Sequence, residues 1–120
     1  MSRDKRRSAN RRGHGAETLA AGLLRLMGYR ILGRGYRVPA GEIDIVARRG
    51  KTVAFVEVKA RETLADALDA VGHTQRQRIV RAAEHFMARH PGLQDCDIRF
   101  DVIAVLPRRL PRHVPDAWRP

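Results

Sequence analysis

The sequence GEIDIV at residues 41–46, followed by VAFVEVK at residues 53–59, decides the fold. Both segments are rich in β-branched and apolar residues, which favour strands. The segment that joins them, RRGK at residues 48–51, contains the glycine that a hairpin turn needs. The two segments are therefore predicted to be neighbouring strands of one hairpin.

Charged residues interrupt these otherwise apolar strands. Because side chains alternate along a strand, Glu57 and Lys59 are predicted to lie on one face. By the same rule Asp44 is predicted to share a face with Glu42 and Val46. A buried charge is unfavourable unless it is paired or binds a metal. The hairpin is therefore the candidate functional site.

Two carboxylates on adjacent strands can bind a hard divalent cation through oxygen. Asp44 and Glu57 would be the ligands, and Lys59 could stabilise negative charge that develops on a phosphate. Glu17 could add a third carboxylate if the first helix packs against this edge of the sheet, and Glu42 ranks below Asp44. The alternative is a cross-strand charge network in which Glu57 and Lys59 form an exposed pair, contributing roughly 1 kcal/mol or less. The spacing alone leaves both readings open.

The remaining pattern predicts an α/β fold with the order αβββαβ and a mixed central sheet flanked by helices. A G-x-G at residues 33–35 is weak evidence for a phosphate loop, and a bulge or bend is the better interpretation. The predicted elements are a helix at about 16–27, a strand at 29–38, the two strands of the hairpin, a short helix from 64, a helix at about 74–89 and a strand at 98–105.

The formal net charge of +11 is concentrated at the two ends of the chain. Residues 1–13 are predicted to form a disordered basic tail, residues 14–106 a single domain, and residues 107–120 a tail rich in proline and arginine without an ordered element. Basic tails suit a polyanion, most often nucleic acid. The alternative is that they only improve solubility.

Other classes of protein are disfavoured by composition. Cys96 is the single cysteine, so neither an intramolecular disulfide nor a cysteine zinc site is possible, and the five histidines show no zinc-ligand spacing. No apolar signal region follows the basic N-terminus, and no apolar run reaches membrane-spanning length. We therefore expect a cytoplasmic protein with no membrane partner.

Six short motifs occur together in this chain: AE at 16–17, GY at 28–29, GEIDI at 41–45, FVEVKAR at 55–61, RIVRAA at 78–83 and RFDV at 99–102. In this order and spacing they resemble the YraN family of small, uncharacterised bacterial proteins, which in turn is similar to the PD-(D/E)xK nucleases and the archaeal Holliday-junction resolvases. The resemblance covers roughly residues 14–106.

This resemblance implies a restriction-endonuclease-like fold, Mg²⁺ (or Mn²⁺) as cofactor, and branched or structured DNA as substrate. It places Glu17, Asp44, Glu57 and Lys59 in the site. Where the family usually carries a lysine at the start of the basic helix, this chain has Gln75, which could still serve as a polar site residue. The chain also differs from the family by Gly35 in place of asparagine and by Ala65 in place of glycine.

The leading hypothesis is thus a divalent-metal-dependent endonuclease that hydrolyses phosphodiesters in DNA. One rival is a non-catalytic module that binds DNA or RNA on the same fold, and another is a structural adaptor with basic tails. A homodimer is plausible for resolvase-like folds. The residues predicted to contact nucleic acid are Arg34, Arg37, Arg61, Arg76, Arg78 and Arg81.

Overall fold

The computed structural model describes residues 3–120, with side chains from residue 15 onward. It is a mixed α/β fold, as predicted, and its five-stranded sheet flanked by helices is compatible with a restriction-endonuclease-like core. The elements are α1 (Arg3–Leu26), β1 (Arg30–Val38), β2 (Gly41–Arg49), β3 (Thr52–Ala60), α2 (Leu64–Asp69), α3 (His73–Ala88), a 3₁₀ turn (Pro91–Leu93), β4 (Asp97–Val105) and β5 (Arg112–Val114).

The sheet follows chain order, β1-β2-β3-β4-β5. Only the β3–β4 pair is parallel, and α2 and α3 make the crossover between these two strands. The C-terminal ends of β3 and β4 therefore meet the N-terminal ends of β2 and β5. We call this edge the site end of the sheet, because it carries the candidate residues of the hairpin.

Each face of the sheet carries its own apolar core. On one face α3 packs through Ile79, Ala83 and Phe86 against side chains that include Val46 and Phe55. On the other face α1 packs through Ala20, Ala21 and Leu24, as its apolar stripe predicts, against Ile45, Val56 and Ile103. A sheet covered on both faces explains why β2, β3 and β4 have long apolar runs instead of strict alternation.

Helix α1 ends close to where the sequence predicts, but it starts much earlier. Gly28 adopts a left-handed conformation (φ 88°) just beyond Leu26, as expected of a glycine that ends a helix. At the other end the helical backbone starts at Arg3, within the segment predicted to be disordered. No proline interrupts residues 3–13, and their arginines, lysine and alanine favour a helix. Residues 1 and 2 lie outside the described residues.

The C-terminal segment is ordered, so the prediction that residues 107–120 hold no ordered element is wrong. β5 pairs with β4, and Trp118 is buried and stacks on Phe100 with ring centroids 4.4 Å apart. The prolines flank the short β5 instead of interrupting it, so they do not oppose its pairing.

A buried carboxylate fixes this segment to the core. Asp101 accepts hydrogen bonds from Arg99, from the backbone N–H of Asp116 and, at 2.7 Å, from His113. Burial alone would raise the pKa of Asp101, but these hydrogen bonds outweigh it and lower the pKa below its usual value. The C-terminal segment is therefore part of the domain.

Among the described residues, no helix combines the length and the apolar character needed to cross a membrane.

Candidate active site

The side chains of Asp44 on β2 and Glu57 on β3 each accept a hydrogen bond from the backbone of the other strand. The backbone pairing of the two strands is recorded from Arg49–Thr52 to Ile45–Val56. Beyond it, the backbone N–H of Asp44 donates to Oε1 of Glu57 at 3.3 Å, and the backbone N–H of Val58 donates to Oδ2 of Asp44 at 2.8 Å. Each carboxylate thus satisfies a backbone donor of the neighbouring strand.

The alternation of β2 breaks at Asp44. Ile43 packs into the core on the α3 face, whereas Ile45 packs into the core on the α1 face, although residues two apart should share a face. The prediction that Asp44 shares a face with Val46 assumed strict alternation, which does not hold here. On the partner strand β1, Gly35 is left-handed (φ 61°), a conformation that asparagine also tolerates. The family's asparagine at this position is therefore compatible with the same backbone.

Glu57 is almost completely buried, with 3% of its surface exposed. Its second oxygen, Oε2, accepts a 2.8 Å hydrogen bond from the side-chain amide of Gln75 at the start of α3. Burial, followed by the charge of Asp44, raises the pKa of Glu57 to about 9, and Lys59 opposes this shift. An exposed Glu57–Lys59 pair, the alternative left open by the sequence, is therefore wrong for Glu57.

The pKa of Asp44 is also raised, chiefly by burial. The hydrogen bond from Val58 and the charge of Lys59 lower it, whereas the charge of Glu17 raises it further. Burial raises the pKa of both carboxylates, and a neighbouring carboxylate adds to each shift, Asp44 for Glu57 and Glu17 for Asp44. Such a cluster carries surplus negative charge, where a proton or a cation is favoured.

Lys59 is half-buried and lies two residues beyond Glu57 on β3. Its positive charge lowers the pKa of both carboxylates. Within the part of the chain whose side chains are described, the ion pairs closer than 4.0 Å involve other residues. The ammonium group is thus near the carboxylates without being locked to either.

Glu17 lies in the same cleft but is held by an arginine. A cleft of about 380 Å³ contains Glu17, Asp44 and Arg34 in its lining. The carboxylate of Glu17 accepts from Nε of Arg34 at 3.3 Å. No three histidine, cysteine, aspartate or glutamate side chains gather around one potential metal position in the described part of the chain. Glu17 therefore lies near Asp44, but it does not form a three-carboxylate group with Asp44 and Glu57, which is the arrangement that the sequence analysis left open.

The arginines predicted to contact nucleic acid differ in their surroundings. Arg34 and Arg37 border the site cleft, but Arg37 pairs with Glu42 at 3.2 Å. Arg76 donates to the carbonyl of Val71 and lies 5.4 Å from the ring of Trp118, so its role in the fold is structural. Its assignment to phosphate contact is not supported.

The other three predicted arginines, Arg61, Arg78 and Arg81, are exposed. Arg61 directly follows β3 at the site end of the sheet, whereas Arg78 and Arg81 lie on α3. Arg78 also lies near this end, because its backbone carbonyl packs against Gly41 at the start of β2.

Gly41 is a positioning residue, which the sequence analysis treated only as the first residue of the first strand segment of the hairpin. A Cβ atom at this position would lie 1.9 Å from the carbonyl oxygen of Arg78. Only glycine allows α3 to approach β2 so closely, and this approach places Gln75 against Glu57. A glycine directly before a charged strand was the signal available in the sequence.

Comparison with known proteins shows one family. The family model of UPF0102, described as an uncharacterised protein family, matches residues 16–105. A UPF0102 protein of Paramagnetospirillum magneticum is 57% identical over 116 residues, which cover 93% of this chain and 90% of the relative. Those of Parvibaculum lavamentivorans (53% identical; 94% and 85% covered) and Agrobacterium fabrum (50% identical; 96% and 94% covered) are similar over nearly the same length.

Proposed function

The chain belongs to the UPF0102 family, the YraN family that its motifs resemble, and on that premise we propose that it is a divalent-metal-dependent endonuclease acting on DNA. The family description assigns no activity, so the proposal depends on the site. The observation that carries it is the pair formed by the half-buried Asp44 and the buried Glu57, each accepting a hydrogen bond from the other's strand beside Lys59.

The donor set fits Mg²⁺ or Mn²⁺. Both cations prefer oxygen ligands, and Mg²⁺ is commonly bound by only one or two carboxylates together with waters and substrate phosphates. Asp44 and Glu57 would hold the ion, and a third protein ligand is not required. When bound, the ion would supply Lewis-acid polarisation of a phosphodiester and a more acidic water.

The residues of the chain have separate roles in this proposal. Lys59 would stabilise negative charge on the phosphate, because its ammonium group is close to both carboxylates but has no fixed partner among the described side chains. Gln75 would orient Glu57 through its 2.8 Å hydrogen bond. Glu17, held by Arg34, would add negative charge near Asp44 without serving as a ligand.

The test combines metal binding with cleavage. Asp44→Asn keeps an oxygen that can accept from Val58 but removes the charge, so the fold should be retained. We expect calorimetry to detect Mn²⁺ binding to the wild type and a loss of at least about tenfold in affinity in the variant. Glu42→Gln, which removes an exposed carboxylate from the same strand, is the matched control.

Cleavage is measured on a labelled four-way DNA junction and on a linear duplex of the same sequence, with Mg²⁺ or with EDTA. We expect Mg²⁺-dependent cleavage by the wild type and the Glu42→Gln control but not by Asp44→Asn or Lys59→Met. Equal cleavage by folded Asp44→Asn and wild type would refute the assignment of the site.

One observation favours a second candidate, a non-catalytic nucleic-acid-binding module. Three of the four carboxylate oxygens of Asp44 and Glu57 already accept hydrogen bonds from Val58, Gln75 and the N–H of Asp44 itself. Such a network could serve the fold alone. This candidate predicts salt-sensitive DNA binding that needs no metal and survives Asp44→Asn, with no cleavage under any condition.

A further inference from the structure

We propose that residues 106–112, which we call the C-terminal arch, bind the phosphate backbone of the DNA beside the carboxylate site. This inference rests on the proposed function, because it names the surface that holds the substrate of that site. The arch carries Arg108, Arg109 and Arg112, all of them exposed. The arginines predicted from the sequence to contact nucleic acid do not include these three.

The sheet register places the arch next to Lys59. Lys59 pairs with Ala104 of β4, and Ala104 pairs with Arg112 of β5. Residues directly opposite each other on neighbouring strands share a face. Arg112 therefore lies on the same face as Lys59, about 10 Å away at the usual spacing between strands. Long side chains that start from backbone positions at this separation can contact successive phosphates of one strand.

A cleft runs along the arch. It has a volume of about 680 Å³ and separates Arg108, Arg109 and Arg112 from the loop and first residue of α2, at Thr63 and Leu64. A second cleft at the ends of β3 and β4 shares Glu62, Leu106 and Pro107 with it and includes Arg61. Glu62 is the acidic residue of this lining, so arginines outnumber acids. Such a groove fits a polyanionic backbone.

Within the part of the chain whose side chains are described, no side-chain hydrogen bond or ion pair explains the three arginines. None takes part in the ion pairs found among the described side chains. Arg108 is moreover left-handed (φ 59°) directly after Pro107, a turn position that favours glycine or asparagine. Asp116 is also left-handed (φ 52°), but its conformation is explained by its hydrogen bonds with Asp101 and Arg119. Unexplained strain at an arginine points to function.

The test is DNA binding in EDTA, where cleavage is excluded. Fluorescence anisotropy with a labelled four-way junction gives Kd over a range of salt concentrations. The arch variant neutralises the arch by the substitutions Arg108→Gln, Arg109→Gln and Arg112→Gln. The control variant removes the same charge from exposed arginines away from the arch, by Arg25→Gln, Arg30→Gln and Arg89→Gln. Glutamine keeps the aliphatic stem, and circular dichroism checks the fold of both variants.

For the arch variant we expect Kd to rise at least about tenfold and the slope of log Kd against log salt to fall by roughly two to three, about one per lost phosphate contact. For the control we expect a change in Kd below about threefold. Equal losses in both variants would mean that only bulk charge matters, and wild-type binding by the arch variant would likewise overturn the inference.

The two proposals fail in different ways. Arch-dependent binding without any Mg²⁺-dependent cleavage would refute the endonuclease and leave the arch as the DNA-binding surface. Cleavage that needs Asp44 but is indifferent to the arch would refute this inference alone. A wild-type protein that binds no DNA even at low salt would refute both.

Discussion

Neutralising Glu57 should remove a pH dependence of stability that the buried carboxylate imposes. The pKa of Glu57 is raised from its ordinary value of 4.5 to about 9, first by burial and then by the charge of Asp44. Between these two pH values the folded protein holds a proton that the unfolded chain releases. The stabilisation is therefore complete below the unfolded pKa and is lost progressively as the pH rises towards 9.

The size of the effect follows from proton linkage. A difference of one bound proton changes the free energy of unfolding by about 1.4 kcal/mol per pH unit. From pH 6 to pH 8 the wild type should lose at most about 3 kcal/mol relative to Glu57→Gln, which corresponds to roughly 10 °C in melting temperature for a domain of this size. The glutamine side chain keeps an oxygen that can accept from the backbone N–H of Asp44.

Urea denaturation followed by the fluorescence of Trp118, the single tryptophan, measures this at pH 6, 7 and 8 in EDTA. We expect the wild type to lose stability over this range and Glu57→Gln to stay nearly constant, with Glu42→Gln following the wild type. Adding Mg²⁺ at pH 8 should raise the free energy of unfolding of the wild type but not that of Glu57→Gln, because the ion binds the ionised carboxylate. Parallel pH dependence in wild type and Glu57→Gln would refute the reasoning.

Three further substitutions test the supporting structure by thermal or chemical denaturation. Gly41→Ala should destabilise the domain by roughly 1–3 kcal/mol, because the Cβ atom of alanine would meet the carbonyl of Arg78. Metal affinity should also fall, because α3 must move. Unchanged stability would show that α3 does not approach β2 so closely. Trp118→Ala should destabilise by about 3–5 kcal/mol through loss of packing on Phe100, whereas a neutral result would mean a dispensable tail. Arg108→Gly should stabilise by up to about 1 kcal/mol by relieving the left-handed backbone while weakening DNA binding; unchanged or stronger DNA binding would contradict the role of the arch.

Local patterns were sufficient to predict most of the fold. The apolar stripe of α1, the hairpin of β2 and β3, and the start of α3 within a residue of Thr74 all follow from periodicity and from turn residues. These elements are predictable because the positions of their apolar residues match the faces that they bury in the fold. The β5 strand is not, because three residues between prolines carry no periodicity, and its stability comes from Trp118 and from contacts with the distant Asp101.

The candidate site was predictable in its residue types but not in its geometry. Asp44, Glu57 and Lys59 are conspicuous in the sequence because charges interrupt apolar strands. Strict alternation could not anticipate that Ile43 and Ile45 would pack on opposite faces. Nor could charge alone separate Arg76, which the fold uses, from arginines that face solvent.

The break at Asp44 and the burial of Glu57 have one physical origin. The backbone pairing of β2 and β3 ends at Ile45 and Val56. Beyond this point backbone N–H groups of both strands need acceptors, and the two carboxylates supply them. Neutral side chains could supply the same acceptors without the unfavourable burial of charge. A fold that only needed to close this gap would therefore be better served by asparagine and glutamine. Two carboxylates at this gap, with Lys59 close by, are the groups that the proposed divalent cation would require.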